Sequence, residues 1–238
     1  MTTIRTLVVV LMTMATASHA VVTDYYFYPS GPKPPGIPPD SVTEQGVALG
    51  TWEDAAVDAS AAGTAFGGDE WAHAESGYLT RPDAQMLFKF VDAYGYMTGD
   101  VGSATLHLYV FAGSSASPAI GLSAARASTA WNEDTVTWNT RPTLGAPSSA
   151  YNGTPAMNNT VTVDVTTAVA AEQLAGAGSR YGIGVSDTAG TSPYLVAKES
   201  QTAAYRPFLH VGVVPEPAAL ALLAGIGAIM LRKRQRLY

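Results

Sequence analysis

The feature that most constrains this fold is a two-residue rhythm of apolar side chains along the middle of the chain. Between Ser103 and Val110, Ala104, Leu106, Leu108 and Val110 fall on one side of an extended backbone, and Thr105, His107 and Tyr109 on the other. Val161, Val163 and Val165 alternate in the same way with Thr160, Thr162 and Asp164. Tyr181, Ile183 and Val185 alternate with Gly182 and Gly184, so one face of that strand is bare and something is expected to lie across it. Met86 to Val91 is nearly continuous apolar sequence, which predicts a central strand covered on both faces. Leu209, Val211 and Val213 close the series as a last strand. Strands this short, separated by Gly, Pro, Asn and Asp turns, predict an all-β, jelly-roll-like β-sandwich rather than alternating βαβ units. Only Thr167 to Leu174 reads as helical, stopped by Gly176.

The two ends have a different logic. Met1 to Ala20 carries Arg5, an apolar stretch from Leu7 to Ala15, and Ser18-His19-Ala20 before a cut after Ala20, the pattern of a secretory signal peptide. At the other end Pro215-Glu216-Pro217 precedes fourteen uncharged residues, Ala218 to Leu231, and the basic cluster Arg232, Lys233, Arg234 and Arg236. A single hydrophobic helix there spans about 21 Å, short of a hydrocarbon core of about 30 Å, so it is a marginal membrane anchor with its basic end in the cytoplasm. The arrangement over 214–238 resembles the PEP-CTERM sorting signal of Gram-negative bacteria. The resemblance implies an exosortase as partner, removal of the tail near Pro215 to Pro217, and delivery to the cell surface or an exopolysaccharide matrix. An ordinary tail anchor is the alternative, since proline also opens helices.

Between the ends, residues 21–214 hold 8 Lys and Arg against 18 Asp and Glu, a formal charge of −10. Nucleic acid is therefore not an expected partner, because phosphate contacts need a basic surface. Without cysteine there are no disulfides and no thiolate metal site, so packing, with a bound ion as a further means, must stabilise the exported domain. Residues 21–50 read as a proline-rich arm, with six prolines from Tyr28 to Asp40. Tyr25-Tyr26-Phe27-Tyr28 at its start is either an edge strand or strap, or a sugar-stacking platform.

The most distinctive words are Trp131-Asn132-Glu133-Asp134-Thr135-Val136-Thr137-Trp138-Asn139-Thr140-Arg141-Pro142. Val136 and Trp138 are expected on one face of a strand that Pro142 ends, with both tryptophans in the core. This block resembles the DNRLRE-type domain, a family of extracellular β-sandwich modules related to carbohydrate-binding modules. Asp54-Ala55-Ala56-Val57, Leu87-Phe88-Lys89-Phe90, Tyr181-Gly182-Ile183-Gly184-Val185, and Lys198-Glu199-Ser200 with Tyr205-Arg206-Pro207-Phe208-Leu209 follow in the family's order. The likeness spans Trp52 to Val213, within a domain set at 51–213. Val91 stands where many members carry aspartate. The resemblance implies a sandwich with a binding role and no catalysis.

The residues themselves agree. His73, His107 and His210 are far apart, and there is no Gly-x-Ser-x-Gly or His-Glu-x-x-His. Glu53-Asp54, Asp69-Glu70 and Glu133-Asp134 are neighbours that point to opposite faces of a strand, the wrong geometry for an acid and base flanking one substrate. For polysaccharide, aromatic faces in polar loops are needed, which nominates Trp71, Tyr78, Tyr94 and Tyr96. A structural calcium ion on Asp54, Asp58, Asp69 and Glu70 is the one cofactor the oxygen ligands suggest, against solvated surface carboxylates as the alternative. Two functions remain: a module that binds matrix polysaccharide, or a structural or adhesive surface component with no specific glycan.

Overall fold

The computed structural model describes residues 22–41, 43–69, 71–73, 84–111, 120–147, 149–153, 159–188 and 194–215. Its strands are β1 (Thr23–Pro29), β2 (Glu44–Leu49), β3 (Trp52–Asp58), β4 (Trp71–His73), β5 (Ala84–Phe90), β6 (Gly99–Phe111) and β7 (Ile120–Arg126). They continue with β8 (Ser149–Gly153), β9 (Asn159–Asp164), β10 (Ile183–Asp187), β11 (Tyr194–Val196) and β12 (Phe208–Pro215), and the α-helix α1 (Thr166–Leu174) lies between β9 and β10. The strands form a seven-stranded sheet, β2-β1-β12-β6-β11-β4 with β9 added to β6, and a five-stranded sheet, β3-β5-β10-β7-β8. This is the all-β sandwich that the alternation predicts.

The long strand β6 organises the larger sheet. Gly99 to His107 pair with β12 on one edge, Val110 and Phe111 continue that edge onto β11, and Thr105 to Val110 pair with β9 on the other. Ala104, Leu106, Leu108 and Val110 all point inward and are buried, and Val161, Val163 and Val165 join them from the β9 side. From the smaller sheet Trp52, Met86, Phe88, Phe90, Leu122, Ile183 and Val185 complete the core.

A second, smaller core lies on the outer face of the five-stranded sheet. Ala55, Val57 and Leu87 face outward there and are covered by Trp131 and Val136, with Trp138 and Leu144 at the margin. So β5 is buried on both faces, as its unbroken apolar run predicts. Gly184 supplies the expected slot, because a Cβ there would stand 2.4 Å from Leu144 Cδ2. Trp131 is 8 % exposed, while Trp138 is only half-buried beneath the Arg141 guanidinium, 3.4 Å from its ring centre.

Two expectations are corrected. The Trp131–Pro142 block contains no strand; it is a strap of turns. Asn132 Oδ1 accepts from the Asp134 N–H, the Val136 N–H donates to the Asn132 carbonyl, and Thr137 and Thr140 cap a short 3-10 turn over Trp138–Thr140. Local side-chain bonds to the backbone outcompete a sheet ladder here. Residues 21–50 are also more than an arm before the domain. β1 lies inside the larger sheet, antiparallel to β12 and parallel to β2, so both ends of the proline-rich stretch are structural strands. At the far end β12 continues through Val214 and Pro215, paired with Asp100 and Gly99. Ala20, the signal segment, and Glu216, Pro217, Arg232, Lys233, Arg234 and Arg236 with the hydrophobic helix lie outside the described residues.

Candidate functional site

The outer face of the seven-stranded sheet is set by the same alternation that fills the core. Opposite the inward residues, β6 presents Thr105, His107 and Tyr109, β12 presents Phe208 and His210, β1 presents Asp24 and Tyr26, and β9 presents Thr160, Thr162 and Asp164. The aromatic members pair ring on ring, two of the pairs across strands and the third between β6 and the 3-10 turn Ala203–Tyr205. Tyr109 stacks on Tyr205 with ring centres 4.1 Å apart, His107 on Phe208 at 4.0 Å, and Tyr26 on His210 at 4.4 Å. Outward neighbours along a strand are about 6.6 Å apart, so three pairs make a row of roughly 13 Å.

The middle of the row is covered on its Phe208 side, and the two end pairs are half-buried. Ile37, from the proline-rich stretch, packs with Tyr28 and Phe208, leaving Phe208 8 % exposed. Tyr26, His107, Tyr109, Tyr205 and His210 are half-buried, and Thr160, Thr162 and Asp164 are exposed along the β9 margin. Burial pushes the His107 imidazole down to about 4, with the adjacent His210 contributing, so it is a neutral ring at ordinary pH. Asp24 Oδ1 accepts from His210 Nε2 at 2.9 Å, and burial, then the Asp24 and Glu44 charges, raise the Tyr26 phenol. The surface thus offers apolar ring area, hydroxyls and carboxylates, with no lysine or arginine among the residues of the row. It suits a neutral polyhydroxylated ligand and repels a polyanion.

The nominated sugar-binding aromatics fare differently. Trp71 belongs to β4, but its side chain is outside what is described, and Tyr78 is outside the described residues altogether. Tyr96 is 46 % exposed, its ring 6.1 Å from that of Phe27. Tyr94 is a correction. It sits in the 3-10 turn Val91–Gly95, 7 % exposed, with Arg180 over its ring at 4.7 Å, so it has no free face for a sugar. Burial raises its phenol well above the ordinary value.

The four carboxylates nominated for calcium do not assemble as a group. Asp58 caps the 3-10 turn Ala59–Ala61 through the Ser60 N–H at 2.6 Å, Asp69 is exposed, and Glu70 lies outside the described residues. Asp54 is instead 1 % exposed and meets Glu133 and Glu199, with one carboxylate oxygen from each within 4.8 Å of the others. Lys198 ion-pairs with Glu133 and, at 3.3 Å, with Glu199. Burial, and next the Glu199 charge, raise the Asp54 carboxyl well above the usual carboxylate range. Nothing in the spacing could reveal this cluster, since Asp54 and Lys198 are 144 residues apart.

The sequence also left Tyr109, Tyr205 and Phe208 without a role. Tyr109 and Phe208 hold outward positions of the alternation, but Tyr205 lies in the 3-10 turn Ala203–Tyr205, and no pattern along the chain shows which rings pair.

The sandwich therefore has one sheet face strapped over and the other carrying a half-buried aromatic row, an arrangement that suits ligand binding. This chain belongs to carbohydrate-binding module family 96, whose pattern matches residues 47–211. No curated protein matches the chain at a significant level. The family match begins inside β2, so β1 with Asp24 and Tyr26, and the covering residue Ile37, lie outside the matched span although they complete this face.

Proposed function

We propose that this is an exported, non-catalytic protein of the cell surface or an exopolysaccharide matrix, holding a neutral polysaccharide along the outer face of its larger sheet. The observation that carries the reading is the row of stacked pairs Tyr109/Tyr205, His107/Phe208 and Tyr26/His210, half-buried except at Phe208, on a sandwich of a carbohydrate-binding family. The DNRLRE-type resemblance over Trp52 to Val213 supports the same role. The ends support the route: a signal peptide for export, then a PEP-CTERM tail that holds the protein in the inner membrane until an exosortase removes it.

Binding of the purified protein to a glycan array tests the ligand. Selective retention of neutral glycans is expected, weakened about ten-fold by Tyr109→Ala or Tyr205→Ala, the loss of about 1.4 kcal/mol of ring contact. Loss confined to Trp71→Ala or Tyr96→Ala would move the site off this face. A blank array over neutral and acidic glycans, with calcium present, would leave the structural or adhesive role instead. Export is tested by the mass and location of the protein in cells with and without the tail-processing protease. A mature secreted form that still contains Leu231 would end the sorting reading.

A further inference from the structure

The edge strand β3 of the smaller sheet and the segment that follows β11 of the larger one meet at a group of charges that neither the aromatic row nor the core explains. Asp54 comes from β3, the edge of the smaller sheet, and Lys198 and Glu199 follow β11 of the larger sheet. Glu133 enters from the strap. Its position is rigidly seated, since a Cβ on Gly67 would stand 2.1 Å from the Glu133 carbonyl oxygen.

Two facts about this group point to a missing ligand. The first is charge: Asp54, Glu133 and Glu199 bring three carboxylates, and Lys198 answers with one ammonium. With all three ionised, as ligands to a cation would be, two negative charges are left over where side-chain exposure is 14 % for Glu133, 20 % for Lys198 and 23 % for Glu199, with Asp54 essentially sealed. A buried charge is normally paired or coordinated. The second is unmet valence. Asp54 Oδ2 accepts from the Lys198 N–H at 3.0 Å and from Trp52 Nε1 at 3.3 Å, but Asp54 Oδ1 accepts nothing and is out of reach of solvent. Glu199 Oε2 is in the same condition. Two of the few buried side-chain oxygens without a partner among the described residues therefore belong to this one cluster.

We propose that Asp54, Glu133 and Glu199 hold a divalent cation, calcium by the chemistry of its ligands, which ties β3 of the smaller sheet to the segment after β11 of the larger one. A charge of two is the one that brings three carboxylates and the Lys198 ammonium to zero. An all-oxygen set selects a hard ion over zinc or copper, which favour imidazole and thiolate. Calcium tolerates the irregular geometry of carboxylates drawn from three separate segments, and it fills its remaining positions with water and backbone carbonyls. Lys198 stays as the fourth charge of the group, leaving Asp54 Oδ1 and Glu199 Oε2 for the ion.

Terbium, a luminescent stand-in for calcium, tests this on the whole protein after EDTA treatment and dialysis, with Trp52 as the sensitiser beside Asp54. The expected result is saturable one-site luminescence displaced by calcium, and a melting temperature raised by about 5–10 °C at calcium a hundred-fold above Kd. Glu199→Gln and Asp54→Asn should each weaken terbium binding at least ten-fold, while Asp69→Asn leaves it unchanged. Glu199→Gln, the more exposed position, serves if Asp54→Asn does not fold. Absence of saturable luminescence in the native protein, or luminescence equal to native in Glu199→Gln, would overturn the site. Neither result depends on whether the aromatic row binds a glycan.

Discussion

Leu87→Ala is the sharpest test of the strap, because it asks whether the outer face of the smaller sheet is a true core. Leu87 is 0 % exposed, but the main core does not bury it; Trp131 and Val136 do, with Leu144 at the margin. The change removes three carbon atoms at about 0.8 kcal/mol each, roughly 2.4 kcal/mol of transfer free energy. Its neighbours are held by the capped turn at Thr137–Thr140 and by Lys89 Nζ on the Trp131 carbonyl at 2.9 Å, so the hole should not close fully. A residual cavity of roughly 60–80 Å³ adds about 1.5–2 kcal/mol, for a total near 4 kcal/mol. At about 2–4 °C per kcal/mol for a domain of this size, melting should fall by roughly 8–16 °C. Urea unfolding followed by tryptophan fluorescence measures it, with Leu106→Ala in the main core as the reference and an unchanged m-value as the check. If Leu87→Ala lost less than about 1 kcal/mol while Leu106→Ala lost more than about 2, the strap would be a peripheral loop and the second core would be an error of interpretation.

Two further outcomes follow from buried charge and from the row itself. Glu172, 0 % exposed at the base of α1, is held by Arg126 and by the Gly182 N–H at 2.9 Å, so Arg126→Leu should cost about 3–5 kcal/mol in urea unfolding, largely recovered by adding Glu172→Gln. For His107, a folded value of about 4 lies below the ordinary value of 6.5, so between these the unfolded chain binds more protons than the folded one. Stability should therefore fall as pH drops through 6.5 toward 4 and be fully restored above 6.5. For a ring partly open to solvent the loss is on the order of 1 kcal/mol. Comparing urea midpoints of native protein and His107→Gln at pH 4.5 and 7.5 isolates this part, and identical pH slopes would refute it.

What the sequence discloses here depends on how local the physics is. The alternation at Ala104–Val110 and Val161–Val165 needs no knowledge of partners, because period two alone assigns each side chain to a face, and those faces are correct. Gly184 announced a missing side chain but not its replacement; only the docked strap shows that Leu144 fills the space. The strap itself misled because Val136 and Trp138 look like strand residues, whereas Asn132, Thr137 and Thr140 decide the backbone by bonding to it. Tyr94 misled for a similar reason: the sequence around it is loop-like and polar, and its burial depends on Arg180, which arrives from beyond α1. The row and the acidic cluster are the extreme case. Tyr26 reaches His210 across 184 residues and Asp54 reaches Lys198 across 144, so no short window contains either pairing, although the alternation does turn His107 and Tyr109 outward. Both arise where the chain's ends or edges are brought together, and β1 shows this most directly. It stands outside the span shared with the family, yet it is paired along β12 and contributes Tyr26 and Asp24 to the outer face. The matched span holds five of the six rings of the row, and Tyr26, with Asp24 and the Ile37 cover, lies outside it. Substitutions on β1 and at Ile37 are therefore the ones that separate what the matched span binds from what the whole face binds.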